Sequence, residues 1–251
     1  MNVITSAQNE KVKLIRSLGN KKARKENRLF LIEGERAVFS APSDALKEVF
    51  IASDKQEKYL SEFTRSDVEV NVVRREIFER MSLTEHSQGI LAVAKIPEER
   101  EIVGDVICVL DGISDPGNMG TIIRSCAAFG IKDAILTDCC DAFDPKVVRS
   151  TMGGIFGANF IVCTRARTID IINKYNFTPV ILDMGGENLY EWTPKGKLAL
   201  TVGSEARGVS TELRAVSGVT LGIPMPGETE SLNAAVAVSI AMSWVAEKHI
   251  N

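Results

Sequence analysis

The sequence predicts an α/β protein of two domains, and three observations support this fold class. Short apolar segments alternate with helix-like segments along the whole chain, as strands and helices do in α/β folds. A charged stretch at 97–104 contains a proline and lacks apolar periodicity, which is typical of a linker. The length of 251 residues fits two small domains or one large one. We therefore expect domains at 1–96 and 105–251.

The first predicted domain begins with a short basic helix near 8–19. Runs rich in β-branched and aromatic residues then alternate with helical patterns, which indicates a small α/β unit. Strands are expected at 29–32, 47–51, 68–73 and 89–94, with helices at 34–41, 54–63 and 74–81.

The second predicted domain contains apolar runs that are short and nearly continuous. Such runs favour strands buried on both faces of a parallel sheet. Strands are expected at 106–110, 134–137, 160–162, 180–182, 198–202 and 219–223, with helices at 119–129, 145–156, 168–175, 208–215 and 231–248. The last helix is rich in Ala and Val at helical spacing, so we expect it to pack closely against a neighbouring element.

Composition excludes several classes of protein. The five cysteines form no C-x-x-C pair, which favours free thiols in a reducing, cytoplasmic setting. With two histidines, a zinc site or a Ser-His-Asp hydrolase is disfavoured, and we expect no metal. Neither end resembles a signal peptide or a membrane span, and the sequence lacks the glycine-rich phosphate-loop patterns.

The net charge of −3 does not indicate nucleic-acid binding, but the segment 11–28, which we call the basic segment, is strongly basic. It carries a single acid, Glu26, and eight cations: Lys11, Lys13, Arg16, Lys21, Lys22, Arg24, Lys25 and Arg28. Such a segment is suited to neutralise RNA phosphates. A solvated helix face explains the same pattern, so both interpretations stay open.

The segment at 115–124 follows a predicted strand, the position at which open α/β sheets bind ligands. We expect Asn118 to cap the following helix. Arg124 lies in a helix that is otherwise apolar and small, so its charge must reach the surface or an anion.

Two further segments follow later strands. In 202–209, Gly203 and Gly208 permit a sharp turn around Glu205 and Arg207. In 223–233, a proline-rich loop leads into a helix that we expect Ser231 to cap, with Asn233 in its first turn. Taken singly, each segment is also explained by an ordinary turn or helix cap.

Taken in order, segments 115–130, 198–210 and 221–244 resemble the three motifs of the SpoU/TrmH family of RNA ribose 2′-O-methyltransferases, in the SPOUT superfamily. The first half resembles an L30e/L7Ae-like substrate-binding domain through segments 30–36 and 87–92. These resemblances imply a parallel sheet with a C-terminal trefoil knot, a homodimer, and the transfer of a methyl group from S-adenosylmethionine to structured RNA, with ribosomal RNA favoured.

The same resemblance implies roles for particular residues. Catalytic positions would be Arg124, Asn118, Glu205, Ser231 and Asn233, and cofactor-binding positions would be Gly203, Ile223, Met225, Leu232 and Ser231. The family role of Arg124 is that of a base assisted by the target phosphate. Because an arginine scarcely loses its proton, we keep a second interpretation, in which Arg124 clamps that phosphate and orients the hydroxyl.

Three alternatives remain at this point. The chain is a non-catalytic RNA-binding protein that keeps a SPOUT scaffold, a SPOUT enzyme that methylates a base, or a conventional nucleotide-binding enzyme. The five catalytic positions given above are all polar, and a pure scaffold would not need to keep them. The sequence around Arg124 favours methylation of ribose over methylation of a base. The missing phosphate loop weighs against a conventional nucleotide-binding enzyme.

Overall fold

A computed structural model describes residues 2–63 and 67–250, which form two compact units. The first unit contains the described residues up to Glu98 together with Asp141–Phe156, and the second contains the remainder. The sequence division placed 141–156 in the second domain, and this assignment needs correction. The rings of Phe143 and Phe156 pack on Phe30, with centroids 5.0 Å and 6.0 Å away, which ties the segment to the first unit.

A five-stranded mixed sheet forms the centre of the first unit, in the order β1-β4-β3-β5-β2. β1, β4 and β3 run parallel, and β5 is antiparallel to both β3 and β2. The strands are β1 (Asn2–Ile4), β2 (Leu29–Glu33), β3 (Leu46–Ala52), β4 (Glu69–Val73) and β5 (Ile90–Lys95), and the helices of this part of the chain are α1 (Glu10–Ser17), α2 (Lys21–Asn27), α3 (Glu35–Phe39), α4 (Gln56–Tyr59) and α5 (Arg75–Met81).

The basic helix predicted near 8–19 is α1, and the rest of the basic segment forms a second helix, α2, that was not predicted. α1 is capped by Asn9, whose Oδ1 accepts from the Lys11 amide at 2.9 Å, and it buries Val12 and Ile15 against the sheet. α2 has its own cap, Asn20, so the chain turns between the two helices. β1 was not predicted, because three residues are too few for an alternating pattern to be recognised.

The second unit contains a six-stranded, wholly parallel sheet in the order β11-β9-β10-β6-β7-β8. This confirms the predicted parallel sheet. In chain order the remaining elements are β6 (Val106–Asp111), α6 (Pro116–Ala128), β7 (Asp133–Thr137), α7 (Pro145–Ser150, in the first unit), β8 (Asn159–Val162), α8 (Arg165–Tyr175), β9 (Thr178–Asn188), β10 (Leu198–Gly203), α9 (Thr211–Arg214), β11 (Val219–Gly222) and α10 (Ala234–Val245).

Helices cover both faces of this sheet. Ile107 and Val109 of β6 point toward α8 and α9, whereas the intervening Cys108 meets Cys126 of α6 on the other face. α10 packs against α6 and β10, as expected for a helix rich in small residues, and Ser125 Oγ lies 2.7 Å from Ser239 Oγ.

Two predicted helices are shorter than expected. α7 ends at Ser150 because Met152 and Gly153 adopt φ of +52° and +94°, which no right-handed helix accommodates. A Cβ at Gly153 would also lie 2.9 Å from Ser40 Cβ, so this turn needs a glycine. The predicted helix at 208–215 is reduced to α9, because Gly208 has φ of +64° within the preceding turn.

β9 is longer than predicted and contains a wide bulge. Thr220 of β11 pairs with Ile181, but the next residue, Leu221, pairs with Glu187. The five residues at 182–186 therefore leave the ladder and project from the carboxyl edge of the sheet. This bulge becomes one wall of the site described next.

Candidate active site

The three predicted segments converge at the carboxyl edge of the parallel sheet. They follow β6, β10 and β11, and β6 lies directly beside β10. The Nδ2 atom of Asn118 donates to Glu205 Oε1, and Asn233 Nδ2 donates to Asn118 Oδ1 at 2.8 Å. Asn233 Nδ2 also lies 3.3 Å from Glu205 Oε1. One side chain from each segment thus joins a single hydrogen-bonded cluster, which we call the polar triad.

Two helix caps orient the polar triad, and neither is the predicted one. Asp115, not Asn118, caps α6: its Oδ1 accepts from the Asn118 amide at 2.8 Å, and Pro116 occupies the first turn. Asn233, not Ser231, caps α10 through its Oδ1, which accepts from the Ala235 amide at 2.9 Å. Asn118 therefore keeps its whole side-chain amide for the polar triad, whereas Asn233 caps α10 through Oδ1 and reaches the triad through Nδ2.

A cavity of about 320 Å³ opens beside the polar triad. All five residues predicted to bind a cofactor line it: Gly203, Ile223, Met225, Ser231 and Leu232. Glu205 lines the cavity as well, whereas Asn118 and Asn233 meet it only through Glu205. A cavity of this volume, with apolar walls and few polar groups, is typical of a small-molecule site.

The bulge of β9 supplies a wall that sequence reasoning missed. Leu182, Asp183 and Met184 line the cavity, and β9 lies between β10 and β11, from which two of the predicted loops leave. Arg214 of α9 also lines it and forms an ion pair with Asp183, while its Nε donates to Val209 O at 3.0 Å. No sequence pattern marked these residues, because the bulge arises from the pairing register of β9 with β11.

The Asp183 carboxylate is stabilised in its charged form. The hydrogen bond from Arg214 is the largest cause, and it lowers the pKa of Asp183 against the opposing effect of burial. The amide of Gly185 donates to Asp183 Oδ1 at 3.3 Å and acts in the same direction. The cavity wall therefore carries a charged pair, Asp183 with Arg214, in addition to Glu205.

Gly203 permits the close approach that shapes the cavity floor. A Cβ at this position would lie 2.0 Å from the carbonyl carbon of Gly208 and 2.2 Å from the Val209 amide nitrogen. The loop after β10 folds back at this point, with a single bridge between Ser204 and Gly208. Only a residue without a side chain allows that fold.

A buried aspartate fastens the same loop to the sheet. Asp111, the last residue of β6, accepts from the Ser210 amide at 2.7 Å and from Arg165 Nε at 3.0 Å. Burial acts to lower the pKa of Arg165, but the hydrogen bond and charge of Asp111 outweigh it, and the pKa is raised. The loop carrying Glu205 is thus anchored at its far end by a charged pair.

Arg124 is exposed on α6 and is not part of the cavity wall of its own chain. Within the described ranges 2–63 and 67–250, its guanidinium has no hydrogen bond or ion pair. It follows that the geometry of one chain does not place Arg124 opposite its own cavity, and that its charge is free for an external anion.

Six of the eight cations of the basic segment are exposed, and Lys11 and Arg24 are the exceptions. Lys13, Arg16, Lys21, Lys22, Lys25 and Arg28 are exposed, and Lys11 is half-buried between Glu48 and Glu69, with Nζ–Oε distances of 2.5 Å and 2.7 Å. Arg24 is only 2% exposed and is hydrogen-bonded to Asp141 and Asp144. Its inclusion among the phosphate-binding residues is therefore corrected: its donors are already used within the protein.

The described part of the chain shows neither a metal-binding group nor a membrane-spanning helix. No group of three or more His, Cys, Asp or Glu residues there is arranged to hold a metal ion. No helix found there has the length and apolar character needed to cross a bilayer.

Comparison with known proteins identifies related families on both halves of the chain. The SpoU rRNA Methylase family matches residues 105–243, and the MRM3-like substrate binding domain matches residues 9–92. A Bacillus subtilis protein, the 23S rRNA (guanosine(2553)-2′-O)-methyltransferase RlmP, is 32% identical over 244 residues, which cover 96% of this chain and 97% of the relative.

Solved structures agree with the sequence comparison. A putative RNA methyltransferase of the TrmH family from Porphyromonas gingivalis superimposes with a TM-score of 0.84 and 29% identity, covering 95% of this chain and 98% of the other. An AdoMet-bound rRNA methyltransferase from Sinorhizobium meliloti has a TM-score of 0.86 and 25% identity, covering 100% of this chain and 98% of the other.

Proposed function

This chain belongs to the SpoU rRNA methylase family and is an S-adenosylmethionine-dependent RNA 2′-O-ribose methyltransferase, and we propose that it acts on ribosomal RNA through the polar triad, the adjoining cavity and Arg124. One observation carries the assignment of the site. Loops from three distant segments of the sequence meet at one sheet edge and enclose a cavity next to Asn118, Glu205 and Asn233.

The cavity suits S-adenosylmethionine, whose sulfonium presents an activated methyl group for transfer. The sulfonium is cationic, and the carboxylates of Asp183 and Glu205 line the cavity together with the guanidinium groups of Arg207 and Arg214. The apolar side chains of Ile223, Met225 and Leu232 suit its adenine and methylene groups. The backbone at Gly203, without a side chain, permits close contact with a ligand.

The residues around the cavity act mainly by positioning. A ribose hydroxyl is protonated at neutral pH, so transfer depends on holding its oxygen in line with the methyl group. Asn118 and Asn233 fix the Glu205 carboxylate in one orientation, and Ser231 lies beside it on the cavity wall. Arg124 keeps its proton and clamps the target phosphate, which then lies close enough to accept the hydroxyl proton.

The active assembly is a homodimer in which Arg124 of one copy faces the cavity of the other. The support is that the guanidinium is exposed and lies outside its own cavity. We extend the proposal to a trefoil knot in the C-terminal chain, to an L30e-like first domain and to a cytoplasmic location. The support for these is the family of the chain and the free state of its five cysteines.

Two measurements test the function. Calorimetric titration with S-adenosylmethionine is expected to show saturable binding, and labelled methyl groups are expected to pass to a 23S rRNA transcript that spans the guanosine modified by the Bacillus subtilis relative. Cofactor binding without transfer to this or total ribosomal RNA would favour the non-catalytic scaffold. Absence of cofactor binding would refute the assignment of the cavity.

A further inference from the structure

A second candidate site lies in the first unit, whereas the residues that line the cavity belong to the second. Five cations on two short elements are solvent-exposed, and within the described residues none of them has a carboxylate partner. They are Lys21, Lys25 and Arg28, on α2 and its cap, and Lys146 and Arg149, on α7. We call this set the α2–α7 surface.

The two elements are held side by side by the buried Arg24. Its Nε and Nη2 donate to Asp141 Oδ2 at 3.0 Å and 2.7 Å, and Nη2 also lies 3.3 Å from Asp144 Oδ2. Its Nη1 donates to the carbonyls of Leu18 and Gly19, both at 2.9 Å. A guanidinium that spans α2 and the start of α7 fixes their cationic faces relative to each other.

The same contacts offset part of the negative charge next to this surface. Asp141 and Asp144 are the acidic residues next to α7, and both are paired with Arg24. Glu26 is the acid of α2 and lies 3.8 Å from Lys22, which is outside the set. Because one guanidinium faces two carboxylates, one negative charge remains beside five cations, which still present a net positive field on a protein whose net charge is −3.

We propose that the α2–α7 surface binds the phosphate backbone of the RNA substrate, an inference that rests on the proposed function. Separate lysine and arginine side chains on the outer faces of two elements suit a row of phosphates. Lys146 and Arg149 are the new members: they lie within the methylase part of the sequence, yet they pack with the first unit.

The test is the salt dependence of RNA binding by the full chain. The variants are Lys146→Ala/Arg149→Ala and Lys21→Ala/Lys25→Ala, and the probe is the fluorescently labelled 23S rRNA transcript used above. Each pair is expected to weaken binding roughly tenfold at about 150 mM salt and to reduce the slope of log K against log salt by about 1 to 2. Cofactor binding and kcat at saturating RNA are expected to stay unchanged, with the loss confined to KM.

Lys132→Ala is the matched control, because Lys132 is exposed and lies before β7, at the edge of its sheet opposite the site. It is expected to leave the slope unchanged. If both double variants keep the wild-type slope, or lose kcat at saturating RNA, the inference is overturned and the enzyme assignment stands. If the unmodified chain neither binds nor methylates the transcript, the proposed function fails instead.

Discussion

Arg124 is the residue on which methyl transfer is expected to depend most. Arg124→Ala removes the proposed phosphate clamp but lies outside the cavity wall of its own chain, so transfer is expected to fall by about 10²–10³-fold while cofactor affinity changes by less than about twofold. Single-turnover transfer and calorimetry measure the two quantities. Arg124→Lys keeps the charge but not the planar fork, so little rescue is expected. Loss of cofactor binding in a folded Arg124→Ala variant would contradict this role.

A substitution of Gly203 tests how this residue shapes the cavity. Because a Cβ there would overlap the Gly208 backbone, Gly203→Ala is expected to displace the loop and weaken S-adenosylmethionine binding at least about tenfold. Gly185→Ala is the control, since nothing lies within 4 Å of a Cβ at that position. Equal affinities for the two variants would show that this close approach does not shape the site.

The ion pair of Asp183 determines how this residue makes the stability of the protein depend on pH. Its pKa lies below the ordinary value of 3.8, so its contribution to stability is fully present above that pH and is lost as the pH falls through the lower, folded value. Between pH 6 and 8 we therefore expect no change from this group. In urea unfolding, the free energy of unfolding of Asp183→Asn is expected to fall less than that of the unmodified chain as the pH drops below about 4. A difference that instead develops near neutral pH would contradict the pairing.

At the scale of elements, the sequence predicted which loops form the site but not the whole of its wall. Apolar runs located β6, β10 and β11, and the sequence placed each segment after one of these strands, where ligands bind. The structure joins Asn118, Glu205 and Asn233, one from each segment, by hydrogen bonds. The bulge that brings in Asp183 depends on strand register, which a single sequence does not specify.

The placement of α7 shows the same limit. Its pattern predicted a helix correctly, but its grouping with the first unit depends on Phe143, Phe156 and the buried Arg24, whose partners are more than a hundred positions away in the sequence. Charge patterning counted Arg24 as a surface cation, because composition alone does not reveal burial. Interpretations of basic segments fail at such positions, where one cation is used internally.

The buried Arg24 is expected to contribute to stability by joining α2 to the residues just before α7. Arg24→Met leaves two carboxylates without their shared partner and is expected to reduce the free energy of unfolding by about 3 kcal/mol. The neighbouring Lys25→Met removes an exposed cation and is expected to change it by less than about 0.5 kcal/mol. Chemical denaturation measures the free energy of unfolding of both variants. Similar values would argue against the role of Arg24 in holding α2 beside the start of α7.

For the whole molecule, the homodimer proposal predicts complementation. Arg124→Ala supplies an intact cavity, and Gly203→Ala supplies an intact Arg124. If each site combines two copies, equal mixing after subunit exchange is expected to restore about a quarter of the wild-type activity, because half of the dimers have one complete site. If each chain uses its own Arg124, the mixture stays as inactive as its components. Transfer kinetics on the mixed sample separate these outcomes.

The most direct test of the account is the position of the transferred methyl group. Ribosomal RNA is incubated with the protein and labelled S-adenosylmethionine, digested to nucleosides and separated by mass. Label is expected on the ribose 2′-oxygen at one nucleotide, and about 10²–10³-fold more slowly with Arg124→Ala. Label on a base, or equal ribose labelling by Arg124→Ala, would contradict the account.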